Sequence, residues 1–212
     1  MFDFWSVNNI AFRFLEYPLS YIELFGTIFY LWSVWLITKK DILTWPVGII
    51  SVLLYMALFY QIRLYADALE QIYYLIISIY GWWQWNQPQT QKVLRGRYSP
   101  AHQLIPTLII TILVAIAVGK LMTQVHLLLP AIFPEPASFP YLDALTTIMS
   151  FTAMALMTQK RIESWFYWII VDIMGIGLYF QKNVRFIGLL YLILLFMSIK
   201  GLLSWHKSAK NI

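Results

Sequence analysis

The chain contains no cysteine, so it forms no disulfide and offers no thiol chemistry. Charge is scarce. Charged residues fill 12% of the 212 positions, against about 25% in ordinary soluble domains. The three histidines, His102, His126 and His206, fall at loops or span ends, too scattered for a metal site. No G-x-x-x-x-G-K-[ST] run occurs, since Gly119-Lys120 has Val114 where the first glycine would stand. H-E-x-x-H and G-x-S-x-G are also missing. A membrane enzyme and ATP drive within this chain therefore have no motif to rest on, and no cofactor is expected. The start lacks a basic n-region and a small-residue cleavage site, so no signal peptide is expected.

What the chain has instead is apolar residues, 60% of the total, against roughly 45–50% in soluble domains. A soluble protein of this size could not cover that surface, and a bilayer is its natural solvent. A spanning helix needs about 20 mostly apolar residues. Seven stretches qualify, at 20–38, 44–61, 67–85, 103–121, 140–158, 165–181 and 186–205. Each is expected to be helical, because lipid leaves no partner for unpaired backbone groups. Lys39-Lys40-Asp41 ends the first span. Pro46 sits in the first turn of the second, where its missing N–H costs nothing. Residues 86–100 are polar and basic, with Lys92, Arg95 and Arg97, and four prolines between Pro130 and Pro140 rule out helix there. Met1–Phe14 carries Phe2, Phe4, Trp5, Phe12 and Phe14 among polar residues and reads as an interfacial segment.

The chain also contains one of its parts twice. A shift of 120 residues puts Trp45 on Trp165, Gln61 on Gln181, Ser78 on Ser198, Gly81 on Gly201 and Trp85 on Trp205, with no gap. The window 21–85 gives 18 identities in 65 positions against 141–205. Apolar composition inflates that count, but the paired Trp, Gln, Gly and Lys positions mark a duplicated unit. Each copy holds three spans. Three is odd, so a second copy placed directly after the first would be inverted. The span at 103–121 restores the direction. The two triplets then run parallel, related by an axis along the membrane normal, a repeat type used by transporters with the substrate site between the repeats near the midplane. The expected organisation is an N-terminal interfacial segment (1–19), a first three-helix repeat (20–85), a basic loop, linker helix and Pro-rich loop (86–139), a second three-helix repeat (140–205) and a tail (206–212).

Lys and Arg set the orientation. One side receives Lys39, Lys40, Lys92, Arg95, Arg97, Lys160, Arg161, Lys200, Lys207 and Lys210; the other receives Arg13, Arg63, Lys120, Lys182 and Arg185. Positive loops stay inside, which predicts an outside N-terminus and a cytoplasmic C-terminus. The net charge of +5 is thus mostly topology, and no nucleic-acid partner is implied.

Polar residues inside a membrane usually face the bundle or a cavity. At helical spacing the third span aligns Asp67, Gln71, Tyr74, Ser78, Gly81 and Trp85. The sixth aligns Trp165, Trp168, Asp172, Gly175 and Tyr179, and the seventh Tyr191, Leu194, Ser198, Gly201 and Trp205. Asp172 lies seven residues into its span, about 10 Å below Trp165. Its repeat mate is Val52, so the charge is not part of the symmetry. A carboxylate at that depth needs a cationic ligand, a proton or a hydrogen-bonding neighbour. The tryptophans on its face suit a flat cation through cation–π contact and stacking. Simpler readings stand beside these. Trp45, Trp85 and Trp205 fit interfacial anchors. Ser78, Gly81, Ser198 and Gly201 fit close helix packing. Glu23 and Asp143 fit hydrated span ends, Lys200 a snorkelling cation, and Gln61 and Gln181 helix caps.

At Gln61-Ile62-Arg63-Leu64-Tyr65-Ala66, Ile79-Tyr80-Gly81-Trp82, Leu156-Met157-Thr158 and Glu163-Ser164-Trp165 the chain resembles the PnuC family of bacterial vitamin transporters. Trp85, Trp165, Trp168 and a polar residue at 172 extend the likeness, which runs from about Trp5 to Trp205. The resemblance implies uptake of nicotinamide riboside across the bacterial inner membrane by facilitated diffusion. It implies a three-plus-one-plus-three fold similar to a full-length SWEET protein, and retention of the vitamin through phosphorylation by a separate cytoplasmic kinase. Nicotinamide riboside members typically carry Asn at the positions of Ser78 and Asp172. Members associated with thiamine are closer at those two points, so thiamine is the alternative cargo.

The sequence thus predicts an all-α, seven-span facilitative carrier for a cationic vitamin. Cargo is expected between Trp165, Trp168, Asp172 and Tyr179 on one side and Gln71, Tyr74 and Ser78 on the other, with Tyr55 and Tyr191 as neighbours. Two competing readings are an ion-coupled carrier, with a proton on Asp172 or Glu23, and a non-transporting membrane subunit. A homo-oligomer is compatible with each.

Overall fold

The computed structural model describes residues 3–14, 17–88, 96–130, 133, 135–181 and 185–210. Phe2, Lys92, Arg95, Pro134 and Lys182, used in the sequence reading, lie outside the described residues. A 3-10 turn at Asp3–Trp5 leads into two short antiparallel strands, β1 (Ile10–Phe14) and β2 (Tyr17–Ser20). Among the described residues seven helices follow: α1 (Tyr21–Thr38), α2 (Thr44–Gln61), α3 (Tyr65–Trp85), α4 (Ala101–Leu128), α5 (Pro140–Thr158), α6 (Ser164–Gln181) and α7 (Arg185–Lys210). The hairpin departs from the all-helical expectation. Its aromatic residues favour a pleated surface, and Pro18 is tolerated because both strands are edges.

Among the described residues four helices are long and apolar enough to cross a membrane by length and composition: α1, α2, α4 and, over Phe186–Lys210, α7. The other three carry the polar residues that lower their hydropathy: Asp67, Glu70 and Gln71 on α3, Asp143 and neighbouring threonines on α5, and Asp172 with Trp165, Tyr167, Trp168 and Tyr179 on α6. α4 reaches 28 residues, longer than the expected span, and exposes Ile105, Leu108, Ile109, Ile112, Leu113 and Ile116.

Helices α1, α2 and α3 pack in succession, as do α5, α6 and α7. The groups meet along two seams, α3 against α5 and α1 against α7, and α4 lies against α5. The turns after α1 and α5 are built alike. Lys40 and Lys160 both adopt left-handed backbone, at φ 61° and 58°. Asp41 N donates to Leu36 O and Lys40 N to Ile37 O; 120 residues on, Arg161 N donates to Leu156 O and Lys160 N to Met157 O. This double closure satisfies the last carbonyls of each helix before the chain turns into the next.

The turns deliver Trp45 and Trp165 to equivalent sockets. A Cβ on Gly81 would lie 2.5 Å from the Trp45 indole, and one on Gly201 would lie 2.4 Å from that of Trp165. Only glycine permits either approach. Four residues further on, Trp85 Nε1 donates to Thr158 O across the α3/α5 seam at 2.9 Å. Trp205 Nε1 donates to Ile37 O across the α1/α7 seam at 3.0 Å. The four rings pack edge-on and tilted, at 5.3 Å for Trp45–Trp85, 6.3 Å for Trp85–Trp205 and 5.5 Å for Trp165–Trp205. With Ile37, Met157 and Ile162 they form the main buried cluster. This corrects the anchor reading: Trp45, Trp85 and Trp205 are 2%, 0% and 0% exposed, because Trp45 seats on Gly81 and the N–H groups of Trp85 and Trp205 find carbonyls inside the bundle. Gln61 is not a cap either. Its Nε2 donates to Trp5 O and its Oε1 accepts from Val7 N, which pins the N-terminal segment to α2.

Candidate functional site: a carboxylate-lined aromatic cavity

A cavity of about 330 Å³ lies between the two helix groups. Six helices line it, all but α4. Trp45, Trp165, Ile37 and Met157 of the tryptophan cluster form its floor, at the end where the Lys/Arg-rich turns lie. Phe59, Asp67, Glu70 and Tyr179 line the opposite end. The nine residues expected from sequence all border it: Tyr55, Gln71, Tyr74, Ser78, Trp165, Trp168, Asp172, Tyr179 and Tyr191.

The wall is not symmetric. Trp168 matches Gly48, Tyr55 matches Gly175, and Asp172 matches Val52. A Cβ on Gly175 would lie 2.5 Å from Tyr191, so that ring fills the space left open at 175. Tyr191 in turn stacks on Tyr179, with centroids 5.4 Å apart and planes 20° from parallel. Tyr55 is fixed from the other side by a 2.7 Å hydrogen bond between its hydroxyl and that of Thr27.

Three carboxylates line the cavity, Asp67, Glu70 and Asp172, and no Lys, Arg or His does so among the described residues. Asp172 is 2% exposed, and its Oδ2 accepts from the Ser198 hydroxyl at 2.8 Å. Glu70 Oε1 accepts from Thr147 Oγ1 at 3.0 Å, a bond that crosses the α3/α5 seam. Beside it, Tyr73 OH donates to Phe151 O and the two rings stack 4.0 Å apart. Glu70 was missed in the sequence. Its signal was present, since it lies three residues after Asp67 and four before Tyr74, on the arc already singled out. The floor residues also include buried donors: Trp45 Nε1 and Trp165 Nε1 have no hydrogen-bond partner among the described residues. Of the span-end carboxylates, Glu23 accepts from Tyr17 OH at 2.8 Å.

Below the floor, the turn between α5 and α6 is clamped by residues 97–99. Arg97 N donates to Lys160 O and Ile162 N to Arg97 O, while the backbone N–H of Ser99 donates to Glu163 Oε1. Lys160 is 3% exposed, with Nζ 4.8 Å over the Trp85 ring. Burial, with Arg97 nearby, pushes its ammonium down to about 8.

A flat aromatic cation would find stacking surfaces and a buried counter-charge in this cavity. An anion would meet only like charge. Known transporters are similar to the chain in sequence. The family model described as nicotinamide mononucleotide transporter matches residues 20–207. The nicotinamide riboside transporter PnuC of Escherichia coli K12 is 31% identical over 230 residues, spanning 99% of this chain and 96% of that one. The riboflavin/roseoflavin transporter RibM of Streptomyces davaonensis is 29% identical, over 94% of this chain and 91% of that one. In fold, the crystal structure of the vitamin B3 transporter PnuC superposes with a TM-score of 0.63 over 90% of this chain and 83% of that one, at 22% identity. The chain therefore belongs to the PnuC-type nicotinamide mononucleotide transporter family, a family of multi-pass membrane transporters.

Proposed function

We propose that the protein is a facilitative carrier for uptake of an unphosphorylated cationic vitamin across the bacterial inner membrane, with nicotinamide riboside as cargo. One observation carries this reading. The cavity between the helix groups holds Asp172 and two further carboxylates among aromatic walls, with no cationic side chain among its described lining residues. The pyridinium of nicotinamide riboside would stack near Trp165 and Trp168 with its charge toward Asp172. A 5′-phosphate on the same cargo would meet like charge and no Lys or Arg. The seven helices form two parallel three-helix repeats joined by α4, a reading supported by the matching turns, glycine sockets and seam bonds. The carrier sits with its N-terminus outside, and the helix groups rock to open the cavity to each face in turn. A cytoplasmic kinase acting on the delivered vitamin would then keep it inside.

Thiamine is the second reading. Ser78 and Asp172, the two cavity positions that depart from the nicotinamide riboside pattern, support it. Calorimetric titration of the purified protein with nicotinamide riboside, its 5′-phosphate and thiamine separates the readings. Heat from nicotinamide riboside alone is the expected result. Heat from thiamine alone moves the cargo to the second reading, and preferential binding of the phosphate ends both. Asp172→Ala should insert normally in the membrane yet lose most uptake, on the order of tenfold or more, as a buried charge partner is removed. Unchanged uptake would take Asp172 out of the mechanism.

A further inference from the structure

Ser78 and Ser198 are repeat mates, and both line the cavity, at 3% and 4% exposure. Their surroundings differ in one respect that matters chemically. The position that carries Asp172 in the second repeat carries Val52 in the first. A hydroxyl has one proton and two lone pairs. The proton of Ser198 is committed to Asp172 Oδ2 at 2.8 Å. Toward anything else in the cavity, Ser198 can then only accept. At the mate of Asp172, Val52 leaves no carboxylate to take the proton of Ser78. Two serines in equivalent places thus differ toward one cargo: Ser198 can only accept, whereas the carboxylate that takes its proton has no counterpart in the first repeat.

The bond also fixes the carboxylate. A hydrogen bond from Ser198 holds Asp172 in one rotamer and occupies Oδ2, leaving Oδ1 as the oxygen to meet a cation. We propose that Ser198 is a positioning and specificity-determining residue: it orients Asp172 toward the cationic ring and offers its own oxygen to a donor group on the cargo, a hydroxyl or an amino N–H. This assignment rests on the cationic-vitamin reading given above.

The test is a double-mutant cycle read by calorimetry with nicotinamide riboside and thiamine as probes, on wild type, Ser198→Ala, Ser198→Thr, Asp172→Asn and the Ser198→Ala/Asp172→Asn double variant. Ser198→Ala is expected to weaken binding about tenfold, the size of one hydrogen bond to a charged group. With Asp172→Asn as background, the same change should cost clearly less than in wild type, because the part of the loss that runs through the carboxylate is gone and only the contact of the Ser198 oxygen with the cargo remains to be lost. Ser198→Thr keeps the hydroxyl and should remain within about threefold of wild type. In liposomes the loss in Ser198→Ala should appear in KM, with the maximal rate retained, which a general packing defect would not produce. Unchanged binding by Ser198→Ala, or an equal loss in both backgrounds, overturns the assignment while leaving the transport reading in place. A wild type that binds neither vitamin overturns the function and this assignment together.

Discussion

Gly81 and Gly201 set how deep the tryptophans lie. In a helix, glycine is less favourable than alanine by about 1 kcal/mol, so two at matching places need a compensating contact. The Trp45 and Trp165 indoles supply it by pressing onto the bare backbone. Gly81→Ala and Gly201→Ala would force ring carbons and the new methyl into about 2.5 Å, far inside van der Waals contact. Overpacking of this kind costs about 1–3 kcal/mol. Each variant should therefore unfold at a lower temperature than wild type in a detergent thermal-stability assay. Gly177→Ala is the control, since a Cβ there meets nothing within 4 Å. It should unfold at the wild-type temperature or above. Equal stability of all three variants would mean that the sockets yield easily and do not fix the rings.

At the level of elements, the turn between α5 and α6 couples buried charge to the fold. Lys160 holds its proton less tightly in the folded chain than in the unfolded one, about 8 against an ordinary 10.5. The folded state therefore sheds this proton first as pH rises. Between about 8 and 10.5 the unfolded state binds more protons, so stability should increase with pH in that window. Below the folded value both states are protonated, and the folded state bears the cost of a buried charge. Thermal unfolding across pH 7–10 should show this rise in wild type and a flatter profile in Lys160→Met. Lys40, lowered by burial in the same direction, remains in both proteins, so the difference isolates Lys160. Profiles of equal slope would show that the ammonium escapes to water. The elements themselves were largely legible in the sequence. Runs of apolar residues broken at Lys39-Lys40-Asp41, at Pro46 and across the prolines before α5 gave boundaries close to those of the helices. The cavity residues were legible too, because helical phase carries through a regular span. What was not legible depended on partners distant in sequence. Nothing near Trp85 indicates that its N–H meets Thr158 O, 73 residues away, so an end-of-span tryptophan looked like an anchor. The β1/β2 hairpin depends on pairing between short strands whose composition also suits an interface. Glu70 was passed over because Gln71 gave a cleaner spacing on the same helix.

For the whole molecule, the two seams are where a rocking carrier must part. Near the floor each seam carries one indole-to-carbonyl bond, Trp85 to Thr158 and Trp205 to Ile37. Toward the opposite end the α3/α5 seam has further polar ties, Glu70 to Thr147 and Tyr73 to Phe151. Their repeat mates at 190 and 193 are Leu and Ile, so the α1/α7 seam has no equivalent pair there. Opening the floor breaks both indole bonds, and each contributes about 1 kcal/mol to the closed form. Trp85→Phe and Trp205→Phe keep a six-membered ring in the cluster and remove the indole N–H together with the five-membered ring that carries it. Each should raise the population opened at the floor by about fivefold, and the double variant by the product, on the same footing. The chain has no cysteine, so a single introduced one reports access without background. Met154→Cys, on the cavity wall, should react with a membrane-impermeant thiol reagent supplied from the Lys/Arg-rich side. Its labelling rate should climb through the series from wild type to single to double Phe variants. Reagent from the other side should label more slowly in the same series, because a molecule open at one end is closed at the other. Rates that rise from both sides would indicate general loosening of the bundle. Rates that stay level from the Lys/Arg-rich side would mean that the tryptophan floor does not part during transport, and that cargo leaves by another route.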